Sequence, residues 1–474
     1  MERMILRAWD EADCARGHAA ALKILDRVGV EVRDETGLAL FETAGARVEH
    51  TRVRIAAELV EQALATAPRE FRLRGRDDGD GLGLVVKDGP VYFGAGSDCL
   101  YILDPRSGER RRAVVADIEV GAGLIERLPS IDFVMSMWLP EDAPQEVVEL
   151  VQLQAMLTYT RKPIVVSSAR GGDAMREQVE MAAACGASAD TLACLNMSSP
   201  SLVFDATCVE KTVSCAQLGV PMVLETGVSL GSTGPVSMQT SVAAAHAEVM
   251  AALVLHQHIE PGAPFIYGTG ISQLNMGTFV DLYGGPESGL AGHLQINLAQ
   301  ALSLPTFDYA GYSDAKSHDE QAVAEIMSTC IGGANCGGTL LHDVGYLESG
   351  LLSSFEALVM GDEFAGFARA GMGIVPSDDG VFLIDEVADV GPGGSYLGKS
   401  TTRKAIREWW RPRLLDGSNA RQWQESGSLS LGDRLRALTA ELLAPAPEPV
   451  IDSQAVSDLA SLIEQARRRV AAGE

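Results

Sequence analysis

One pattern constrains this chain more than any other. From residue 91 onward, short apolar runs alternate with longer stretches of helical periodicity. The strand-like runs are Val91–Gly96, Asp132–Met137, Pro163–Ser168, Leu192–Ser198, Pro221–Val228, Pro264–Gly270, Thr306–Gly311 and Thr339–Val344. Between and after them, apolar residues recur at helical spacing over Ala116–Leu128, Gln145–Tyr159, Asp173–Cys185, Ala206–Leu218, Ser241–His258, Glu287–Leu302, Asp319–Gly332 and Ser353–Ala370. Strands that alternate with helices pair in parallel through right-handed crossovers. About eight such units over ~280 residues match a closed barrel. A doubly wound open sheet would carry a G-x-G-x-x-G turn after its first strand, and Phe93-Gly-Ala-Gly-Ser-Asp lacks that spacing. The expected fold is therefore an α/β (β/α)8 TIM barrel over residues 91–370.

The flanks read differently. Residues 1–90 predict a helical region, with Leu59, Val60 and Leu64 on one amphipathic stretch and a glycine-rich loop from Arg74 to Gly83. A hairpin is expected at Leu100–Glu109. Residues 371–474 predict a mixed, mostly helical extension packed on the barrel. It holds a candidate strand at Val381-Phe-Leu-Ile, a glycine loop from Gly391 to Gly398, and helices over Thr401–Trp410 and before Arg467-Arg-Arg.

The chain carries 38 Lys and Arg against 64 Asp and Glu, a net charge of −26. Such a surface repels a phosphate backbone and argues against nucleic acid as a partner. No run of about 18 uncharged apolar residues predicts a membrane span, and the first residues lack a signal-peptide pattern, so a cytoplasmic location is expected. None of the eight cysteines forms a C-x-x-C pair, which points to reduced, buried thiols.

In a barrel, the C-terminal ends of the strands supply the active site. Those ends carry Trp138, Ser167, Ser168, Asn196, Glu225, Tyr267, the stretch Tyr309–Asp314, His342 and Asp343. Of the histidines, His342 ends a strand, whereas His256 and His258 fall at a helix C-terminus, so no metal site is expected. Ser229-Leu-Gly-Ser-Thr-Gly lacks the G-x-S-x-G of a nucleophile elbow. No catalytic nucleophile is expected. The glycines of Gly231-Ser-Thr-Gly-Pro and Gly284-Gly-Pro-Glu read either as tight loops or as backbone donors for a carboxylate. Aromatics recur near the strand ends, at Tyr92, Phe93, Trp138, Tyr267, Tyr312 and Tyr346, and read either as core or as a cage. A ring of aromatics with Glu225 beside it is what recognition of a quaternary ammonium needs, since that cation donates no hydrogen bond.

Several longer motifs carry a family resemblance. Tyr309-Ala-Gly-Tyr-Ser-Asp-Ala-Lys-Ser-His-Asp-Glu-Gln-Ala, Leu347-Glu-Ser-Gly-Leu, Asp389-Val-Gly-Pro-Gly-Gly-Ser-Tyr-Leu-Gly and Trp410-Arg-Pro-Arg-Leu-Leu-Asp resemble signatures of the trimethylamine and glycine betaine methyltransferases, which are corrinoid-dependent. Leu25-Asp-Arg-Val-Gly-Val-Glu-Val and Pro264-Phe-Ile-Tyr-Gly fall in the expected order upstream. The resemblance implies methyl transfer from an amine to cob(I)alamin held by a separate corrinoid protein. Trimethylamine members carry pyrrolysine just before an S/T-D-x-K motif, at or beside Tyr312, where this chain has an ordinary residue. That implies the non-pyrrolysine branch and a small quaternary-amine, betaine-like substrate. The resemblance assigns His342 to a substrate carboxylate, the six aromatics to an ammonium cage and Glu225 to electrostatic support. A homo-oligomer is also expected. After Tyr267-Gly-Thr-Gly, many members run D-M-R-T-G, whereas this chain has Leu274-Asn-Met-Gly-Thr-Phe. Two other readings stay open: a non-catalytic binder of quaternary amines, and an acid–base barrel lyase or hydrolase using Glu225, Asp314 or His342.

Overall fold

The computed structural model describes residues 5–76, 82–85, 91–373 and 381–473. Seven parallel strands form its central sheet: Tyr92–Ala95, Ile164–Ser167, Leu192–Met197, Met222–Glu225, Phe265–Gly268, Thr306–Tyr309 and Leu340–Val344. Each lies inside a run picked out by the apolar pattern. The last strand returns to pair with the first, Leu340 against Tyr92 and Leu341 against Phe93. The intervening helices match equally closely, and Ala206–Leu218 has the expected bounds. Asp205 caps that helix by accepting the Cys208 N–H, and Gly219 ends it in the left-handed conformation that glycine adopts freely.

The Asp132–Met137 run differs from expectation. It pairs only through isolated parallel bridges, Gly94 with Phe133 and Val134 with Ile164. Part of the ladder there is replaced by side-chain bonds, because Asp132 accepts the Phe93 N–H and pairs with Arg369. These bridges nevertheless join both edges of the sheet, so it is curled.

Alternation along the strands decides what faces inward. Phe133, Met135, Val165, Ala193, Leu195, Val223, Ile266, Phe307 and Leu340 form one buried cluster with Leu73. Their neighbours Ile164, Val166, Cys194, Leu224, Phe265 and Leu341 belong to the larger cluster under the helices. Fully burying one such side chain is worth roughly 1.5–3 kcal/mol, so the inner layer makes a solid floor beneath the strand ends.

The N-terminal region is not purely helical, as its apolar pattern had implied. Helices Glu11–Arg27, Glu35–Thr43 and Ala57–Thr66 alternate with strands Val30–Val32, Arg47–Glu49 and Arg52–Arg54. Val30–Val32 finds a partner far along the chain, pairing in parallel with Val203–Phe204. That long-range partner was invisible to local periodicity. Residues 77–81 of the expected glycine-rich loop lie outside the described residues. The hairpin near residue 100 forms from Tyr101–Leu103 and Arg110–Arg112.

In the C-terminal extension, the expected strand at Val381–Ile384 is absent. Ile384 instead opens the helix Ile384–Val390, where Asp385 and Glu386 suit the positive end of the dipole. Helices Leu431–Leu443 and Ser453–Ala472 pack against Phe355–Gly371 and Gly172–Ala184 respectively. Among the described residues one helix, Met238–Ile259, is long and apolar enough to cross a membrane. Here it is buried along most of its length, with Ser241 to Gln257 covered continuously.

Gly94 sits where the first strand meets residue 133. A Cβ added there would stand 2.1 Å from the Phe133 ring. Gly94→Ala is expected to destabilise the protein by about 1–3 kcal/mol through overpacking. A fall in the urea midpoint at unchanged slope is the expected reading; an unchanged midpoint would show that the strand and residue 133 are not closely packed.

Candidate active site

The next inward step beyond the floor is polar. Glu225 follows Val223, Tyr309 follows Phe307 and His342 follows Leu340, each by two residues, so all three point to the inside at the C-terminal strand ends. Register places Tyr309 opposite His342. The Tyr309 hydroxyl donates to Glu225 Oε1. The His342 ring stacks on Phe307 with centroids 4.0 Å apart. Its Nδ1 lies 2.8 Å from Asp343 Oδ1 and its Nε2 lies 3.6 Å from Glu225 Oε2.

These groups line a cavity of about 560 Å³ that also takes in Asp281, Tyr283, His293, Asp308, Tyr312 and Tyr346. Three tyrosines form a cluster in its wall. Tyr283 is 5.9 Å from Tyr309 and 6.2 Å from Tyr312, and Tyr309 is 6.3 Å from Tyr312, the last two pairs edge to face. No lysine or arginine lines the cavity among the described residues, whereas Glu225, Asp281, Asp308 and Asp343 all do.

Burial without compensating cations dominates the electrostatics. It pushes the Glu225 carboxyl up to about 7, against the pull of His342 and of the Tyr309 hydrogen bond. Burial also raises Asp308, whose oxygen accepts the Thr269 hydroxyl. It works against a charged His342 as well, but Asp343 and Glu225 outweigh it and hold the imidazole above its ordinary value. The Tyr309 phenol is raised far above its usual range by burial and by Glu225. Two buried polar atoms in this group, Glu225 Oε2 and His342 Nε2, have no hydrogen-bond partner. Unsatisfied buried polar atoms cost about 1–3 kcal/mol each, and here the two face one another at 3.6 Å.

Of the eight candidate residues, Glu225, Tyr312, His342 and Tyr346 line the cavity. The other four do not. Tyr267 follows the inward Ile266, so alternation turns it outward, where its hydroxyl meets His246 Nδ1 at 3.0 Å. Phe93 likewise faces the outer core, with Arg369 over its ring. Tyr92 packs at the inner floor, one layer below the polar groups. Trp138 is wholly buried against Phe355 and Gly121. Tyr346, though in the lining, donates its hydroxyl to the Ser97 carbonyl and accepts the Ser97 N–H, which fixes the loop after the first strand.

Sequence reasoning passed over Tyr283, Asp281 and His293. They come from a hairpin, Ile271–Asn275 with Val280–Leu282, and from the helix Pro286–Ala301. No strand-end rule points to an inserted hairpin. Tyr309 was within reach, since it is two residues beyond Phe307 on an alternating strand. His256 and His258 stand away from the cavity, against Gln257 and Thr43. Among the described residues no group of three or more His, Cys, Asp or Glu side chains is placed to hold a metal ion.

A family model described as trimethylamine methyltransferase (MTTB) matches residues 3–472. The chain belongs to the MTTB family. Within it, the chain is similar to the glycine betaine methyltransferase of Desulfitobacterium hafniense strain Y51, 30% identical over 465 residues that span 96% of this chain and 95% of that protein. It is 26% identical over 459 residues to trimethylamine methyltransferase MttB of Desulfitobacterium hafniense strain DSM 10664 / DCB-2, spanning 94% and 91% of the two chains. The solved structure of Methanosarcina barkeri monomethylamine methyltransferase (MtmB) shares the fold, with a TM-score of 0.52 at 12% identity over 98% of this chain and 94% of that one.

An acidic cup of this kind should bind a simple cation in a pH-dependent way. Glu225 is neutral below about 7 and charged above it. Loss of the His342 proton adds negative charge in the same direction, with Asp343 and Asp308 beside the pair. Affinity for tetramethylammonium, followed by calorimetry, is expected to rise about tenfold, some 1.4 kcal/mol, from pH 6 to pH 8. Glu225→Gln should weaken binding at pH 8 by about tenfold and flatten the profile. A profile equally steep in the variant would remove Glu225 from cation recognition.

Proposed function

We propose that this chain is an amine:corrinoid methyltransferase that takes a methyl group from a quaternary amine and delivers it to cob(I)alamin on a separate corrinoid protein. One observation carries the reading: three tyrosine rings and the buried Glu225–His342 pair line a cavity with no lysine or arginine among the described residues. Ring faces and negative charge are what hold a quaternary ammonium. The names of the relatives, glycine betaine and trimethylamine methyltransferase, support the reaction class. Tyr312, an ordinary residue at or beside the pyrrolysine position, supports the non-pyrrolysine branch.

The cavity suits the corrinoid as a co-substrate borne on another protein. Its volume of about 560 Å³ accommodates a small amine, and the corrinoid is read as arriving at the rim on its own protein. Exposed apolar residues stand there, on the hairpin that carries Asp281: Met276, Phe279 and Val280. We assign them to the corrinoid protein's docking face. The reduced corrinoid supplies the nucleophile. The chain's own task is to hold one N–CH3 bond at near-attack distance and in line. Tyr283, Tyr309 and Tyr312 cradle the ammonium, and Glu225 balances its charge, itself positioned by Tyr309 and His342. A quaternary ammonium leaves as a neutral amine, so no proton donor is required.

On the same grounds we read residues 132–137 as the eighth stave of a closed (β/α)8 barrel, with residues 1–90 and 371–474 packed around it. The bridges from Gly94 and Ile164 to this segment support that reading. Phe382, Ile384, Leu397 and Trp409, exposed along the C-terminal segment, support association between copies of the chain. Eight free cysteines, seven of them buried, suit a reducing cytoplasm.

The test mixes the purified protein with cob(I)alamin, free or on a cognate corrinoid protein, and a panel of quaternary amines. Loss of one methyl from an amine, read by mass spectrometry with a matching change in corrin absorbance, is expected. If amines bind and none is demethylated, the chain is a binder; a corrinoid-independent reaction with a bell-shaped pH–rate profile would favour acid–base chemistry instead. Phe279→Asp is expected to slow transfer to the corrinoid protein at least tenfold while leaving amine affinity unchanged. Unchanged transfer would move the docking face elsewhere.

A further inference from the structure

The charge inventory of the cavity bears on what else the amine carries. A betaine brings a carboxylate within a few bonds of its ammonium, and that carboxylate needs a partner. The lining offers none with free positive charge. Glu225, Asp281 and Asp343 line the cavity, Asp308 joins them from the helix side of its strand, against Gly292, and no lysine or arginine lines it among the described residues. His342 is hemmed in by Asp343 at 2.8 Å and Glu225 at 3.6 Å, so a proton on its ring is already matched by two carboxylates. His293, the other lining imidazole, is paired electrostatically with Asp308 and held below its ordinary value by burial. The start of the Pro286–Ala301 helix also lines the cavity and would attract an anion. Beside that end, just before its N-cap Gly285, stands a further carboxylate, Asp314, which takes the N–H groups of Tyr283 and Gly284 at 3.0 Å each. The hairpin that closes this side carries Leu274-Asn-Met-Gly-Thr-Phe, a run without arginine or lysine.

Resting on the methyltransferase reading, we propose that the substrate is a trimethylammonium compound without a carboxylate, held by its cation alone, rather than a betaine. The four lining carboxylates would repel a zwitterion's anionic end, whereas a hydroxyl or alkyl substituent meets no like charge. A hydroxylated side arm has acceptors to bond, among them Asp281, which already accepts the Ser229 hydroxyl.

The experiment uses the full-length protein at pH 7.5 with choline and tetramethylammonium against glycine betaine and carnitine. Calorimetry gives affinities, and mass spectrometry after incubation with the reduced corrinoid gives demethylation. Choline and tetramethylammonium are expected to bind at least tenfold tighter than either zwitterion, with choline demethylated faster. Glycine betaine or carnitine binding as tightly, or being demethylated while choline is inert, would overturn the proposal and leave the methyltransferase reading intact. If none of the four is bound or demethylated, this proposal falls, and the wider amine panel decides the methyltransferase reading.

Discussion

Everything distinctive about this protein depends on burying Glu225 and His342 side by side with two of their polar atoms unsatisfied. A carboxylate and an imidazole removed from water cost free energy unless something completes their bonding. Tyr309 completes one side of Glu225, and Asp343 completes one side of His342. The remaining atoms, Glu225 Oε2 and His342 Nε2, face one another at 3.6 Å without a hydrogen bond. Under the proposed function, a cation bound beside them offsets the cost of burying the Glu225 charge, so that cost becomes affinity for the ligand. The same pair explains why the cup is built of phenols. Their rings offer a negative face to the cation, and their burial removes water that would otherwise screen Glu225.

That pair can stand where it does only because the layer beneath it is filled. Val223, Phe307 and Leu340 are the inward residues one step below Glu225, Tyr309 and His342, and they pack with Phe133, Val165 and Ile266 into a dry floor. The period of two that places the floor also places the polar layer. A one-residue slip in any of these strands would exchange floor for helix-facing core and carry the site residue out of the cavity. Fold and site are specified by the same alternation.

This also sets how much was legible in the sequence. Strand runs and helical stretches were readable because each carries a strong local period, and the strands and principal helices of the central sheet emerged within a few residues of expectation. Orientation needed one further step. Taking the end of a run as the site brought in Tyr267, which alternation from Ile266 turns toward His246, and Phe93, which faces the outer core. Applying the period from the floor upward selects Glu225, Tyr309 and His342 instead. The strand Val30–Val32 and the hairpin 271–282 escaped local reading for another reason. Each owes its conformation to partners distant in the chain, Val203–Phe204 in one case and Val228–Leu230 in the other.

The hairpin shows how such a fold separates scaffold from specificity. Its strand Ile271–Asn275 pairs in parallel with Val228–Leu230, which directly follows the strand bearing Glu225. The hairpin is therefore tied to the strand ends by backbone hydrogen bonds. From that anchor it swings Asp281 and Tyr283 over the cavity, while its tip, Met276 and Phe279, stays exposed. Residues 274–279, at this tip, include no arginine or lysine. A change at the tip leaves the floor, the Glu225–His342 pair, Tyr309 and Tyr312 untouched, because none of them takes its position from those residues. It alters what lies at the rim, where a substrate's second functional group and a partner protein would both arrive. Under the proposed function, substrate choice can thus diverge through the hairpin while the centre beneath it is kept, and a tip without arginine or lysine accords with the carboxylate-free substrate proposed above.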